Sequence, residues 1–358
     1  MGFYIHRKSG CSGIKRDCRF FHYASINAGI LAFCFCLFSC TEDTAINNLF
    51  GISAETPVYN GCKVPSGKQV NFDFSTDVHV RYARFQPDIP VEQTLDGKTV
   101  SVFFAEERAG GEKIIADVLV EDSAGNTLNI LVPFRTRNER IPKFVINEIR
   151  FDYSKPRAEF IELKTKSAGN FGAVKLFIAS ANAGSFVYEF PPVEAAENEY
   201  IILHLRTLAT DNGIDETGSA LNLAVSGNTG DTPKDARDLW IPSNQKLLHK
   251  TDVIYFVDQD DKIIDGILCS EDEKAWGKNK AFDKAAELLA AQGQWLSKDA
   301  ILIKSPSAAD AAVSNTTTLT RTLCRDETKD DSNTLLDWYI CNTSKGSPGK
   351  RNSEDRYN

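Results

Sequence analysis

The sequence predicts a mainly β fold with two β-sandwich bodies in tandem. Between residues 68 and 134, apolar side chains recur at every second position, which is the period of strands with one buried face. From residue 144 onward, short apolar segments alternate with loops rich in Gly, Asp and Asn, the pattern of a second all-strand body. We place the boundary at Ile141-Pro142, because proline disfavours continued strand pairing.

Residues 1–39 have the layout of an export signal. Five basic residues precede a short apolar run over residues 30–39, and Cys40 follows it directly. The apolar run is shorter than the ~20 residues that span a bilayer. The arrangement resembles the lipobox of bacterial lipoproteins, which implies that Cys40 is acylated and becomes the new N-terminus. The alternatives are a signal anchor, or an ordinary signal peptide with a chance cysteine.

The net charge of the chain limits the classes of partner that it can bind. The leader holds five of the 41 basic residues and one of the 49 acidic residues, so the part from Cys40 onward carries a net charge of −12. An acidic body argues against a nucleic-acid partner and against electrostatic binding to an anionic membrane surface. Membrane attachment is therefore expected through the lipid, with the polar residues 40–56 as a tether.

The first body is predicted over residues 57–140. Its alternating segments are separated by turn sequences at Asp96-Gly97, Gly110-Gly111 and 124–126. The acidic turn at residues 121–127 (EDSAGNT) resembles that of many bacterial immunoglobulin-like modules, and this resemblance implies an immunoglobulin-like β-sandwich. The alternating positions are Val70, Phe72 and Phe74; Val80, Tyr82 and Arg84; Val100, Val102 and Phe104; Ile114, Ala116, Val118 and Val120, which alternate with Ile115, Asp117 and Leu119; and Leu128, Ile130 and Val132.

The second body is predicted over residues 144–352 from four ordered segments. These are INEI at 146–149, FIEL at 160–163, VIYFVDQDDKIIDG at 253–266 and SPGKRN at 347–352. Their order resembles the lamin-tail domain, which implies an immunoglobulin-like sandwich associated with protein interaction and scaffolding. Glu162 within FIEL is expected either to face solvent or to be buried with a partner such as Arg321, because an unpaired buried carboxylate is costly.

Two insertions are expected in the second body, at residues 206–250 and 270–318. The second contains a probable helix near 280–292, with Gly293 as its stop signal. Its apolar stripe comprises Phe282, Ala285, Ala286 and Leu289. The helix is expected to cap one end of the sandwich; alternatively it forms a partner-binding surface with Trp276 and Trp295.

Trp240 is the preferred surface candidate for a ligand. It precedes Ile241-Pro242 in the loop-rich insertion, and exposed aromatic rings stack on sugars or anchor protein partners. Trp338 lies in an alternating segment and is expected in the core. These tryptophans predict binding of a protein or a glycan.

The sequence signals for metal sites, disulfides and catalysis are weaker than those for the strands. Asp258, Asp260 and Asp261 are candidate calcium ligands, but the EF-hand spacing fails and a turn between two strands needs the same residues. Calcium binding by the loop at 206–235 stays an alternative. Cys324 and Cys341 are the best candidates for a disulfide, because they fall on neighbouring predicted strands. There is no nucleophile elbow, and His204 lies within an apolar strand segment.

Together these observations predict a non-enzymatic, lipid-anchored protein of the bacterial cell envelope, at the outer membrane, that binds a protein or glycan and needs no cofactor. The alternative is an envelope hydrolase or calcium-dependent adhesin that uses the loops of residues 206–318. Residues 353–358 are predicted to form a disordered tail.

Overall fold

The computed structural model of the protein describes residues 56–181, 186–272 and 280–357. This part of the chain is mainly β, with nineteen strands and one α-helix, which confirms the predicted fold class. Residues from Thr56 onward form one compact unit. In the described residues no helix has the length and apolar character needed to cross a membrane.

The first body is a single antiparallel sheet that curls around its own core. Its central strand is 18 residues long; the first half pairs with two strands and the second half with a third. This change of partner brings the two halves face to face. The strands are β1 (Tyr59–Ser66), β2 (Gln69–Gln86), β3 (Val91–Leu95), β4 (Gly97–Phe104), β5 (Lys113–Asp122) and β6 (Thr127–Arg135), in the order β3-β4-β2-β5-β6 with β1 on β2.

The predicted alternation of buried and exposed residues is confirmed in this sheet. On β5, Ile114, Ala116, Val118 and Val120 are buried, and the residues between them point outward. The core is closed by edge-to-face aromatic contacts such as that between the Phe85 and Phe104 rings. The turn glycines Gly97, Gly111 and Gly125 all have positive φ, as the turn sequences require.

The second body consists of two sheets that share one hydrophobic core. One sheet has the order β14-β13-β8-β7-β18-β19 and the other β11-β10-β15-β16-β17, with a separate ribbon of β9 and β12. The strands are β7 (Phe144–Arg150), β8 (Phe160–Thr165), β9 (Gly169–Asn170), β10 (Lys175–Ile178), β11 (Tyr188–Glu189), β12 (Glu194–Ala195), β13 (Tyr200–His204), β14 (Arg237–Trp240), β15 (Asp252–Val257), β16 (Ile263–Ser270), β17 (Ala312–Val313), β18 (Leu323–Arg325) and β19 (Trp338–Ile340). This arrangement is consistent with a β-sandwich, and the immunoglobulin-like topology of both bodies stays a prediction.

The helix α1 (Lys280–Ala291) covers the sheet at β15 and β16. The predicted stripe is buried, and Gly293 follows the helix with a φ of +73°. Gly266 of β16 lets the helix approach, because a Cβ there would lie 2.5 Å from Leu289 Cδ1. The helix therefore seals the core of the sandwich, as the first of the two interpretations predicts.

The closing segment, residues 347–352, binds the buried carboxylates of β7 and β8. The backbone N–H of Ser347 donates to both carboxylate oxygens of Glu148, at 3.1 and 3.0 Å. The backbone N–H of Gly349 donates to Glu162 Oε2 at 2.5 Å, and Asn147 Nδ2 donates to Glu162 Oε1 at 2.8 Å. The segments INEI, FIEL and SPGKRN thus meet in one buried network.

Arg321 is not the partner of Glu162. Its guanidinium instead lies 4.0 Å from the centre of the Tyr357 ring. The prediction was wrong because the backbone N–H of Gly349 and the side-chain amide of Asn147 bind the buried carboxylate, and sequence spacing does not display these contacts.

The prediction of a disordered tail at residues 353–358 is also wrong for the part described, which extends to Tyr357. The backbone N–H of Tyr357 donates to the Ile340 carbonyl at 2.9 Å, and Arg356 forms an ion pair with Asp326 at 2.7 Å. Arg356 also lies over the Tyr339 ring. Residues 353–357 are polar, which is why the sequence predicts disorder, but backbone pairing and two contacts of Arg356 hold them in place.

The two bodies are in contact. Asn138 of the connecting segment donates from Nδ2 to the Asn170 and Gly172 carbonyls, at 2.7 and 2.8 Å. Arg137 forms a two-bond ion pair with Asp260, in the turn between β15 and β16. The short linker is therefore fixed to the second body by hydrogen bonds on both sides.

Candidate functional site

A cleft of about 440 Å³ lies where the first and second bodies meet. We call it the Trp240 cleft. Its apolar walls come from the second body, namely Tyr188, Phe190, Pro191, Pro192, Trp240 and Pro242. Asp215, Glu189 and, from the first body, Arg135 and residues 111–113 complete it. A volume in this range, with aromatic walls and a few polar groups, is typical of a ligand site.

Trp240 is placed by β14, an edge strand that pairs in parallel with β13. The outward backbone N–H groups of β14 are satisfied by carboxylates rather than by another strand. Trp240 N–H donates to Asp215 Oδ1 at 2.8 Å, and Asp238 N–H donates to Glu216 Oε2 at 2.9 Å. Glu216 is fully buried and also accepts from the backbone of Leu223 and Ala224. These bonds protect the edge and fix the position of the indole.

The indole of Trp240 offers the cleft its edge and not its face. The ring stacks on His204 with centroids 3.9 Å apart, and Gly213 lies against the ring, where a Cβ would be 3.3 Å from Cδ2. Trp240 is 4% exposed. The prediction of Trp240 as an exposed stacking surface is therefore wrong, because its own insertion folds over the ring.

Two polar atoms in the wall of the cleft have no hydrogen-bond partner among the described residues. They are the hydroxyl of Tyr188 and the indole Nε1 of Trp240. Burial, followed by the nearby Asp215 carboxylate, raises the pKa of Tyr188, so its hydroxyl keeps its proton. A buried polar group without a partner costs about 1–3 kcal/mol. Both atoms are sealed inside the wall and are not accessible from the cleft, so they are a cost to stability.

Charged groups at the cleft are mostly paired with each other. Arg135 of the first body donates from Nη2 to Glu189 Oε2 at 2.8 Å and from Nη1 to the Gly111 carbonyl at 2.9 Å. Lys113 is exposed, and no ion pair is recorded for it in the described part of the chain. Burial raises the pKa of Asp215. The cleft thus has one free cation at its rim and a shielded carboxyl inside.

His204 and Asp238 form a buried pair behind Trp240, with His204 Nε2 and Asp238 Oδ1 2.7 Å apart. Burial lowers the pKa of His204 to about 4, and burial followed by the charges of Glu216 and Asp231 raises the pKa of Asp238 to about 9. Both side chains are almost completely buried, so the pair supports Trp240 and cannot reach a substrate.

The acidic residues proposed for calcium form the turn between β15 and β16. Asp258 Oδ1 accepts from the backbone N–H groups of Asp260 and Lys262, at 2.8 and 3.0 Å. Asp260 pairs with Arg137, and Asp261 adopts a φ of +58°. Across the residues the structure describes, no group of three His, Cys, Asp or Glu side chains has the geometry of a metal site. These positions are explained by turn chemistry.

The predicted disulfide is not formed in the structure. Cys324 lies on β18 and Cys341 directly follows β19, so they are on neighbouring strands as expected, but both are free and buried. Thr322 Oγ1 lies 3.4 Å from Cys324 Sγ and 3.1 Å from Cys341 Sγ. The hydroxyl and the two thiols form a hydrogen-bonded group in place of a covalent bond.

The other predicted site residues do not reach the cleft. Trp295 is 1% exposed and donates from Nε1 to the Asp310 carbonyl at 2.9 Å, so its proposed role in partner binding is wrong and it belongs to the core under the helix. Trp338 is also in the core, as predicted. Trp276 and Cys40 lie outside the described residues.

Sequence analysis missed most of the cleft. The run at residues 188–192 (YEFPP) is the local signal for the cleft, because aromatic side chains line many peptide-binding grooves. Asp215 and Arg135 carry no local signal. Their roles come from the packing of the insertion and of the first body against the edge of the sandwich.

Comparison with known proteins places the second body in a family. The profile of the family described as "TP_1001_2nd: protein second domain" matches residues 142–340. The chain is also 24% identical over 212 residues to an "Uncharacterized protein" of Treponema pallidum (strain Nichols), an alignment that covers 55% of this chain. The chain spans about half (51%) of the length of this curated relative. The family match includes Tyr188, Asp215 and Trp240 of the cleft.

Proposed function

We infer that this chain, which belongs to the family described as "TP_1001_2nd: protein second domain", is a lipid-anchored, non-catalytic binding protein of the bacterial cell envelope. The observation that carries the binding role is the apolar wall of the cleft, with Tyr188, Pro191, Pro192 and Pro242 beside the charged groups Arg135 and Glu189. Rigid strands and paired charges hold that wall in place, as a binding site requires.

The occupant that this cleft fits best is an extended segment of a protein partner. A sugar would need an open aromatic face, and both faces of the Trp240 ring are occupied. Proline or apolar side chains of an extended peptide can instead pack on Pro191 and Pro192, which are half-buried in the wall of the cleft. The resemblance to lamin-tail domains, which implies protein interaction, agrees with this choice.

The non-catalytic part of the proposal is supported by the contents of the cleft. The nearest histidine, His204, is buried behind the indole and hydrogen-bonded to Asp238. Asp215 is engaged by a backbone N–H. Within the described residues, the cleft therefore brings together neither a nucleophile with a base nor two free carboxyls on opposite sides of a ligand.

Site-specific photocrosslinking in cells tests the binding role. A benzophenone amino acid is introduced at Lys113, on the rim of the cleft, and at Lys98, an exposed control on β4. We expect a discrete adduct only from position 113, sensitive to protease and resistant to muramidase. Equal adducts at both positions, or an adduct removed by muramidase alone, would exclude a protein partner in this cleft.

Metabolic labelling tests the anchor. Cells that express the wild type or Cys40→Ala are grown with radiolabelled palmitate, and the protein is isolated and fractionated with the membranes. Label and membrane association are expected for the wild type and should be lost in the variant. Equal absence of label from both proteins would disprove the lipid anchor without affecting the cleft.

A further inference from the structure

A small polar pocket lies at a different part of the second body from the Trp240 cleft. We call it the arginine pocket; its volume is about 170 Å³. It is formed by three segments that are distant in sequence: the end of β7 with the loop after it, residues 228–231 of the first insertion, and residues 319–348. Its lining includes Arg150, Arg157, Asp231, Thr320, Ser344 and Gly346.

Arg150 has one side of its guanidinium unused. Nη1 donates to Asp231 Oδ2 at 2.6 Å and to the Ala158 carbonyl at 3.4 Å. Nε is buried without a partner, and no acceptor for Nη2 is recorded in the part of the chain that the structure describes. Nε is sealed inside the protein, so Nη2 is the donor that Arg150 can offer to a ligand in the pocket, and a guanidinium N–H is a strong donor to an oxyanion.

The guanidinium of Arg150 is held in a fixed position. Arg150 is 5% exposed, and its Cζ lies 4.7 Å from the centre of the Phe160 ring, which covers one face of the guanidinium. Asp231 is itself fixed, because Asn228 Nδ2 donates to its Oδ1 at 2.7 Å. A buried, immobile arginine with free donors is a preorganised site, since little side-chain entropy remains to be lost on binding.

The charge balance of the pocket favours an anion. Asp231 neutralises Arg150, and no ion pair is recorded for the half-buried Arg157 among the described residues. The pocket is therefore locally cationic in a chain whose net charge is −8. Ser344 adds a hydroxyl for which no hydrogen bond is recorded within the described residues, and Thr320 adds a second hydroxyl on the same side.

We propose that the arginine pocket binds a tetrahedral oxyanion of the phosphate or sulfate type. One oxygen accepts from Nη2 of Arg150, and Arg157 with the hydroxyls of Ser344 and Thr320 contacts the remaining oxygens. The volume admits one such group and excludes a nucleotide, so the ligand is either the free ion or a single charged group on a larger molecule. This inference does not depend on the binding role of the Trp240 cleft.

The test uses the full chain and isothermal titration with sodium phosphate, sodium sulfate and sodium acetate, each at constant ionic strength in sodium chloride. Saturable binding of phosphate or sulfate is expected, and the stronger of the two identifies the group. Arg157→Gln should weaken it about tenfold or more, since a hydrogen bond to a charged group contributes about 1.5–3 kcal/mol. Arg157 is half-buried and has no ion pair recorded, so this variant keeps the Arg150–Asp231 pair and the fold.

The matched control is Arg351→Gln, which removes an exposed arginine that pairs with Glu354 at the surface. It should bind the anion as the wild type does. Equal weakening by both substitutions would show that only general charge is sensed and would overturn the site. The absence of saturation, or an equal response to acetate, would overturn the assignment to a tetrahedral oxyanion.

Discussion

The substitution Gly349→Ala tests how the closing segment is fixed to the sandwich. Gly349 has a φ of +79°, and a Cβ at this position would lie 2.2 Å from Pro233 Cγ and 2.9 Å from Ala236 Cβ. The left-handed backbone costs an L-residue about 1–2 kcal/mol, and overpacking costs about 1–3 kcal/mol more. We therefore expect the free energy of unfolding to fall by about 2–5 kcal/mol.

Two other glycines separate these contributions. Gly125 has a φ of +87° with nothing within 4 Å of its Cβ position, and Gly218 has neither a positive φ nor a neighbour. Gly125→Ala should cost only about 1–2 kcal/mol, from the backbone. Gly218→Ala should be neutral or stabilise by up to about 1 kcal/mol, because alanine restricts the unfolded chain.

Urea unfolding followed by tryptophan fluorescence measures all three variants against the wild type. The expected order of stability is Gly218→Ala, then Gly125→Ala, then Gly349→Ala. If Gly349→Ala and Gly125→Ala had equal midpoints, residue 349 would not pack against Pro233 and Ala236. The description of the closing segment as a buried part of the fold would then be refuted.

Three further predictions concern stability. Burial raises the pKa of Glu148 from 4.5 to about 7, so between these pH values the folded state binds more protons than the unfolded state, and the free energy of unfolding falls as pH rises. The wild type should lose on the order of 3 kcal/mol between pH 4.5 and 7, and Glu148→Gln should not show this loss. The same pH dependence of the urea midpoint in both proteins would contradict the prediction. Tyr188→Phe removes a buried hydroxyl that has no hydrogen-bond partner in the described residues, so thermal unfolding should show unchanged or slightly higher stability. A loss above 1 kcal/mol would mean that the hydroxyl forms a hydrogen bond within the protein. Leu289→Ala should lower the free energy of unfolding by about 2–5 kcal/mol, because Leu289 is completely buried between α1 and β16. The control Leu288→Ala, on the exposed side of the same helix, should cost less than 1 kcal/mol. Similar losses for both variants would show that the helix does not seal the core.

The strands of the first body and the helix were predictable because their buried residues recur with a local period. The alternation on β5 and the stripe containing Phe282 and Leu289 follow from which face is buried, and that information is contained within about ten residues. Turn glycines such as Gly125 were predictable for the same reason, since their chemistry is local.

The candidate site was predictable only in part. The sequence predicts an exposed Trp240, but its burial depends on His204 and Gly213, which approach from the neighbouring strand and from a loop. The contact of Arg135 with Glu189 joins residues 54 positions apart in two different bodies. Pairings of this kind depend on tertiary packing, which the spacing of one sequence does not encode.

The bonds of the closing segment also set an order on folding. Ser347 and Glu148 are 199 residues apart, and Gly349 and Glu162 are 187 residues apart. These contacts can form only after residues 347–349 have been synthesised, and closing such long loops is slow. During synthesis, the first two strands of the second body therefore hold two carboxylates whose partners have not yet been made. We expect those carboxylates to stay hydrated until that moment, so that the sandwich assembles late and in a single cooperative step.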